Sequence, residues 1–572
     1  MRYDRGYFVT FVAMKCKSVS YLLVLLLGWG APPFASLFAQ RTASFPKSTA
    51  DEDPYTEYIK AVETFGSLLR NIKMYYIDSL STRELYKRGI KGVLASLDPY
   101  CEYYSAQEEG ELRLLTTGEY GGVGAVVMPA ADSSVMVARL FEGKPAHLAG
   151  VQAGDVFLKI DGVDFSKSDV QRVSEALKGS PESPISLVLK RRGEEAPIQL
   201  SFLRKRIQIE PVSYHDVRPG TQIGYISVDA FNDKTATAFG EALRDLKSRT
   251  KLKGLIIDLR GNGGGLVGES VGILGHFLPK GTEVATLRSR DNAVSAIYQT
   301  SVVPSDPNLP LVVLINEETA STSELLAGAL QDYDRAVIVG RKSFGKGIVQ
   351  TTAQMPYGGR IKFTISRYHI PSGRCIQRIN YRKSEADSSH HIFYTKAGRP
   401  QPEAGGIAPD FEVKADSTKV ISYFVAGNYL VEDFATDYQR AHRSIAKPDR
   451  FSLSDKEYEE LIGRLSVPAF KYELRSPSYL KDLRRLAESE GFLPEATEAF
   501  DTLSELLKPD VRRDLIRYKA DVKKWVEEAI VHRYYHEKGL TQYRLRSDSD
   551  VSEAVRILSD EDEYQRLLLP KR

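Results

Sequence analysis

The sequence predicts a multi-domain α/β protein, in which an α/β core carries an inserted β-rich module and is flanked by helical regions. Continuous apolar runs alternate with helical patterns over residues 210–416, as expected for a sheet buried on both faces. Short alternating strands separated by glycine-rich turns occupy residues 117–209. Helical spacing of apolar residues marks an N-terminal region, 40–116, and a C-terminal region, 417–572.

Individual elements follow from the same patterns. The N-terminal helical stretch is indicated by apolar residues three or four positions apart: Tyr58, Val62, Phe65, Leu68 and Leu69. In the β-rich module we expect strands at 123–128, 135–138, 156–160 and 185–190, with helices at 145–150 and 168–177. In the core we expect buried strands at 254–259, 311–315 and 336–339.

Composition and charge narrow the function classes. At roughly 100–200 residues per domain, 572 residues make about three or four domains. The formal net charge is +3, and the first 39 residues carry all of it. The near-neutral remainder argues against binding to nucleic acid. Cysteine and histidine do not cluster at zinc-site spacing, so we expect no metal and no cofactor.

Residues 1–39 have the organisation of a signal peptide. Basic residues precede a short apolar run at 21–28, and small residues follow up to Ala39. The apolar run is shorter than a membrane span requires. We therefore expect export to the periplasm or the extracellular space, with no stable membrane span after cleavage. An uncleaved N-terminal anchor, which would keep the protein membrane-associated, is the alternative.

Ser321 is the candidate nucleophile. It lies where an apolar strand turns into a helix, and Glu324 follows three residues later. This spacing is that of a capping box, and because such caps are frequent the segment taken alone favours a purely structural cap. A helix N-terminus also offers free N–H groups to a developing oxyanion. No histidine lies in an obvious catalytic turn, so another general base is required.

Lys346 is the candidate general base. It lies between two glycines at the start of a strand-like stretch, where burial would favour the neutral amine. Gln350 lies four residues further on, on the same face of a strand, and could orient the amine. A surface lysine in a loop is the alternative. The G-x-x-x-x-G-K pattern is followed by Gly347 rather than Ser or Thr, which argues against nucleotide binding.

A glycine-dense loop follows the predicted strand at 254–259. Its sequence is DLRGNGGG, from Asp258 to Gly265. Glycines allow close approach of backbone N–H groups to an anion. An oxyanion hole formed by Gly263 or Gly264 together with the Thr322 amide fits this pattern. A tight structural turn is the alternative.

Together, these segments resemble the carboxyl-terminal processing peptidases, also called tail-specific proteases. The resemblance covers about residues 55–415. It rests on separated motifs in the family's order: LDPY (97–100), DLRGNGGG (258–265), TASTSE with AGALQDYDRA (319–336), SFGKGIVQ (343–350), PSGRCIQ (371–377) and GGIAPDFEV (405–413). It implies a serine endopeptidase with a Ser321–Lys346 dyad, a lysine-orienting Gln350 and an oxyanion hole near Gly263, Gly264 and Thr322. The stretch at 380–404 is an insertion relative to the family.

The module at 117–209 resembles a PDZ domain. The resemblance implies a carboxylate-binding loop formed by Tyr120, Gly121, Gly122, Val123 and Gly124, with a peptide added as a strand beside residues 123–127. The expected partners are proteins or peptides with apolar C-termini, and the C-terminal helical region leaves a homo-oligomer open. The alternative function is a secreted PDZ scaffold whose protease core is degenerate.

Overall fold

The computed structural model describes residues 53–106, 108–130, 134–381, 385–386, 391–403, 405–415 and 419–570. The predicted signal peptide, residues 1–39, therefore lies outside the described residues. The described residues fall into two units, one that ends at Tyr103 and one that begins at Tyr104. The mixed helix-and-sheet content confirms the predicted fold class.

The smaller unit contains two helices, α1 (Pro54–Tyr75) and α2 (Thr82–Ala95), and leads into β1 (Glu102–Tyr104). Helix α2 begins after Ser81, whose hydroxyl accepts the Glu84 N–H at 3.5 Å. Helix α1 follows the predicted apolar spacing, yet none of its residues is buried.

The β-rich module is a small antiparallel sheet with two short helices. Its elements, with the helix that precedes them, are α3 (Glu109–Thr117), β2 (Glu119–Gly122), β3 (Ala125–Pro129), β4 (Val135–Leu140), α4 (Pro145–Leu148), β5 (Val156–Ile160), β6 (Val163–Asp164), α5 (Val170–Leu177), β7 (Pro184–Lys190), β8 (Ile198–Leu203) and β9 (Lys205–Gln208). The sheet order is β3-β4-β5-β7-β8, with β6 on β5, while β2 pairs with β9. The four predicted strands and both predicted helices are present, with boundaries shifted by at most two residues, and β5 has the predicted bounds.

The core is built on a six-stranded sheet. Its elements are β10 (Tyr214–Val217), β11 (Ile223–Ser227), α6 (Thr235–Arg249), β12 (Gly254–Asp258), α7 (Val267–Leu274), β15 (Leu311–Ile315), α8 (Thr322–Asp332), β16 (Val337–Gly340) and β23 (Phe411–Glu412). The order is β10-β11-β12-β15-β16-β23. All neighbours are parallel except β10, which pairs antiparallel with β11.

The four central parallel strands follow one another in chain order across the sheet. Because crossovers between parallel strands are right-handed, this order places α6, α7 and α8 on one face. That face forms one apolar cluster with these helices. The other face carries alternate residues of the same strands, and the last two helices of the chain cover it: α16 (Ser549–Ser559) and α17 (Glu561–Leu567). The end of the chain is therefore part of the core packing.

A second, antiparallel sheet flanks the core. It contains β13 (Glu283–Arg288), β14 (Val294–Gln299), β17 (Ile348–Gln354) and β18 (Arg360–His369). Strand β18 pairs with β13 and also with β17, and β13 pairs with β14, all antiparallel. The predicted insertion forms β19 (Ile379–Asn380), β20 (Glu385–Ala386), β21 (Ile392–Tyr394) and β22 (Pro400–Pro402). Within it, Arg399 donates to the Gln331 carbonyl at the end of α8, at 3.0 Å.

The remaining helices are α9 (Val420–Val425), α10 (Tyr429–Ala441), α11 (Asp455–Leu465), α12 (Arg475–Ser489), α13 (Leu493–Leu507), α14 (Val511–Arg517) and α15 (Lys519–Leu545). Five of them, α9, α10, α11, α14 and α15, share a separate apolar core, to which α12 and α13 contribute no residue. The β-rich module contacts this region, since Arg192 pairs with Asp433 and Asp437, each at 2.8 Å. Within the described residues, helices long and apolar enough to cross a bilayer are absent.

Candidate active site

Two adjacent strand ends position the site. Strands β12 and β15 are parallel neighbours, so the glycine-dense loop after Asp258 and the turn before α8 emerge at the same edge of the sheet. Binding crevices of open α/β sheets lie at this carboxyl edge. Ala320 in the turn donates its N–H to the Asn262 carbonyl in the loop at 3.0 Å, so the two segments are in direct contact.

Ser321 has a strained backbone. Its φ is +56° and its ψ is −119°, in a region that residues with a side chain rarely adopt. Helix α8 begins at the next residue, as the sequence predicts, and the Leu325 N–H donates to the Ser321 carbonyl at 3.0 Å. Such strain persists only where the surroundings enforce it, and it is concentrated at functional sites.

Gly264 packs directly against this turn. A Cβ at position 264 would lie 2.9 Å from both the Ser321 Cβ and the Thr322 nitrogen, and the φ of Gly264 is +97°. Only glycine fits there. Its own N–H donates to the Asn262 Oδ1 at 2.8 Å, which removes it from the available oxyanion donors. In the described chain, the Gly263 N–H makes no such bond, and a Cβ there would meet only open space.

Asn262 connects the loop to the core and to the nucleophile turn. It is fully buried, and its side-chain amide donates to the Val228 carbonyl at 2.7 Å. Its own carbonyl accepts the Ser323 hydroxyl at 3.0 Å. The loop therefore holds its shape through one asparagine whose polar groups are satisfied by protein.

Lys346 and Gln350 are hydrogen-bonded to each other. The Lys346 Nζ donates to the Gln350 Oε1 at 3.2 Å, and both side chains are half-buried. Strand β17 begins at Ile348, directly after the glycine-flanked lysine. The geometry matches the orienting contact that the four-residue spacing predicts.

Glu324 joins the two halves of the site. One carboxylate oxygen, Oε2, accepts the N–H groups of Ser321 and Lys346, each at 2.8 Å. The other, Oε1, accepts the Ser343 hydroxyl at 2.5 Å and the Gly345 N–H at 2.7 Å. Burial raises the pKa of Glu324 above its ordinary value, although these four hydrogen bonds oppose the shift. A single carboxylate thus holds the backbones of both candidate residues.

Tyr368 holds the same two residues from the carbonyl side. Its hydroxyl lies 2.9 Å from the Ser321 carbonyl oxygen and 2.8 Å from that of Lys346. The ring is almost completely buried, and burial raises the pKa of Tyr368 well above its ordinary value. The hydroxyl therefore remains a donor at all physiological pH values.

Sequence reasoning missed these supporting residues. By its spacing Glu324 fits only the second half of a helix cap, and Tyr368 lies in a strand that carries no catalytic pattern. The available signal is the apolar run that follows Glu324 in α8, which indicates a buried helix. All eleven residues of α8 are buried.

The predicted carboxylate-binding loop divides into a strand and a turn. Tyr120, Gly121 and Gly122 lie in β2, paired with β9, whereas Val123 and Gly124 connect β2 to β3. In the described residues, the N–H groups of Val123 and Gly124 make no backbone hydrogen bond.

The surroundings of this loop require glycine. A Cβ on Gly121 would lie 2.0 Å from the Gly179 carbonyl oxygen, just beyond α5. Burial raises the pKa of Tyr120 to about 12, and its ring lies against Gly122. Strand β3 is the last strand of its sheet, so one edge is open for an added strand beside α5.

Three family models match the chain. Residues 222–387 match Peptidase family S41, residues 137–191 match the PDZ domain, and residues 421–558 match "Probable PDZ-protease, C-terminal helical domain".

Named relatives extend the match. The carboxy-terminal-processing protease of Bartonella bacilliformis is 34% identical over 323 residues, which is 56% of this chain and 73% of that protein. The corresponding protease of a Synechocystis species is 33% identical over 347 residues, 59% and 80% of the two chains. A solved photosystem II D1 C-terminal processing protease is 27% identical, covering 62% of this chain and 93% of the other, with a TM-score of 0.34.

A protease core of family S41 joined to a PDZ domain defines the class of protein. The chain belongs to the carboxy-terminal processing protease family.

Proposed function

We propose that the protein is a secreted serine endopeptidase in which Ser321 is the nucleophile and Lys346 its general base. The observation that carries this proposal is the pair of bridges between the two residues. One Glu324 oxygen binds both N–H groups, and the Tyr368 hydroxyl binds both carbonyls. Glu324 fixes the N–H groups of Ser321 and Lys346, and Tyr368 fixes their carbonyl groups. The two backbones are therefore held in place relative to each other, which is the preorganisation that a dyad needs.

The reaction follows from the chemistry of these groups. Neutral Lys346, oriented by Gln350, takes the Ser321 proton, and the Ser321 oxygen attacks the scissile carbonyl. The Gly263 and Thr322 N–H groups stabilise the oxyanion. The amine leaves with the proton from Lys346, and water then hydrolyses the acyl-enzyme.

Substrate selection is assigned to the PDZ domain. The N–H groups of Val123 and Gly124 bind the C-terminal carboxylate of an apolar tail, which adds as a strand to the open edge of β3. The leader at 1–39 directs the protein across a membrane.

The dyad is tested by cleavage of an unfolded protein that ends in apolar residues with a free carboxylate. Ser321→Ala and Lys346→Ala are each expected to lower kcat by at least about 10³-fold, because the nucleophile or its activation is lost. Lys342→Ala is the matched control, since Lys342 is exposed in the same loop, and it should cleave like the parent. Cleavage by the Ser321 or Lys346 variant at the parental rate would show that the dyad is wrongly assigned.

Tail recognition has a separate test, in which the substrate's C-terminus is amidated. Hydrogen bonds to a charged group contribute about 1.5–3 kcal/mol, so we expect kcat/KM to fall roughly ten- to a hundredfold. Reaction of Ser321 with a small fluorophosphonate does not need the PDZ domain. It therefore serves as the control that the protein preparation is active. Equal kcat/KM for both substrates would contradict the PDZ role. Tail binding by a parent protein that neither cleaves nor reacts would instead support a PDZ scaffold with a degenerate core.

A further inference from the structure

The glycine-dense loop is connected to the far end of the chain through Arg260. This guanidinium lies two residues before Asn262, on the loop that carries Gly263. It pairs with Asp258 at 2.6 Å on its own loop, with Asp548 at 2.9 Å and with Asp550 at 2.8 Å. Two of its three carboxylate partners therefore come from residues almost 300 positions away.

Asp550 also connects the end of the chain to the loop that carries Lys346. Its other oxygen lies 3.2 Å from the Arg341 Nη1. Arg341 begins the segment that leads from β16 to Lys346. One buried carboxylate therefore contacts the arginine of the glycine loop and the arginine of the lysine loop.

The network is placed where solvent screens it weakly. The side chains of Arg260 and Arg341 are 18% and 20% exposed, and that of Asp550 is 3% exposed. Burial would raise the pKa of Asp548, but the Arg260 guanidinium outweighs it and lowers that pKa. Asp548 also caps α16, since its Oδ1 accepts the Val551 N–H at 3.0 Å. The start of α16 is therefore attached rigidly to the loops of the site.

We propose that Asp548 and Asp550 are positioning residues for catalysis, acting through Arg260 on the oxyanion loop and through Arg341 on the Lys346 loop. The inference rests on the proposed function. It assigns to the C-terminal helices a role in the reaction as well as in packing, because loss of either carboxylate removes one of the contacts that fix an arginine on a catalytic loop. Arg260 then keeps its pair with Asp258, and Arg341 keeps its pair with Glu317, so we expect a displaced loop and not an unfolded one. Since small displacements of reacting groups cost large factors in rate, the effect falls on kcat.

The test measures kcat and KM separately for Asp550→Ala, Asp550→Asn and Asp548→Ser, with folding checked by circular dichroism and thermal unfolding. Serine retains the helix cap but cannot pair with Arg260. Asp550→Ala and Asp548→Ser should lower kcat about tenfold or more, with KM changed less than about threefold. The asparagine variant keeps the shape of Asp550 and should lose less than alanine.

Glu553→Gln, on the same helix, is the matched control and should retain the parental kcat. A double variant, Asp550→Ala with Arg341→Ala, should lose less than the product of the two single losses, because the two single variants remove the same contact between these residues. Parental kcat in folded Asp550→Ala and Asp548→Ser would overturn the inference, as would losses in the double variant that multiply fully. If the parent itself fails to cleave and Ser321 fails to react, the proposed function is wrong instead.

Discussion

Replacing Glu324 with alanine is expected to lower kcat by about 10²-fold or more and to destabilise the fold by about 3–5 kcal/mol. The substitution leaves four donors without an acceptor, two of them buried and two partly buried, and each unsatisfied buried group costs about 1–3 kcal/mol before relaxation. The rate falls because the Ser321 and Lys346 backbones are no longer held by one oxygen. Enzyme kinetics and urea unfolding measure the two effects.

A second variant of Glu324 separates the effect of its charge from that of its position, and a variant in α6 serves as the control. Glu324→Gln keeps the length of the side chain, but its NH2 group faces either the Ser321 and Lys346 N–H groups or the Gly345 and Ser343 donors. It should therefore also lose activity. Glu241→Ala, on the exposed side of α6, should leave rate and stability unchanged. Near-parental kcat in the glutamine variant would mean that the carboxylate is not the element that holds the dyad.

Deleting residues 546–572 is expected to abolish stable folding of the core. Four large side chains of α16 and α17 are buried against the far face of the sheet: Val551, Ile557, Leu558 and Tyr564. At about 1.5–3 kcal/mol each, their loss approaches the net stability of roughly 5–15 kcal/mol typical of a domain. The Leu311 N–H, which Tyr564 accepts at 3.0 Å, would also lose its partner. Limited proteolysis and thermal unfolding provide the measurement.

A point substitution refines this expectation. Ile557→Ala is expected to cost about 2–5 kcal/mol, because Ile557 is fully buried. Leu486→Ala, in the exposed stripe of α12, removes the same kind of side chain at 52% exposure and should cost far less. A truncated protein that unfolds cooperatively at the parental temperature would contradict the assigned role of these helices.

Local pattern was sufficient for the elements that carry the site. The run at 311–315 is continuously apolar and has the bounds of β15, and the helix start predicted at Thr322 is that of α8. The four-residue spacing between Lys346 and Gln350 predicted a contact that the structure contains. These features depend on nearest neighbours along the chain, where periodicity and capping chemistry are informative.

Local pattern was insufficient wherever one side chain serves several segments. Glu324 matches a capping box, and nothing in its spacing reveals that it also binds Gly345, Lys346 and Ser343 from a loop about twenty residues away. The pattern predicts one oxyanion donor from Gly263 or Gly264, and it does not reveal that the Asn262 side chain accepts the Gly264 N–H. Both outcomes depend on which loops meet at the carboxyl edge of the sheet.

The fold class, the PDZ module, the family and the candidate residues Ser321, Lys346 and Gln350 could all be predicted from the sequence. Apolar periodicity, glycine turns and motif order are properties of short segments, and they can be recognised without knowledge of the packing. The contacts around those segments became visible only in the folded chain: Glu324 and Tyr368 against Ser321 and Lys346, and Asp548 and Asp550 against Arg260 and Arg341. The physical reason is the sheet order, since right-handed crossovers cover one face and leave the other face open to α16 and α17.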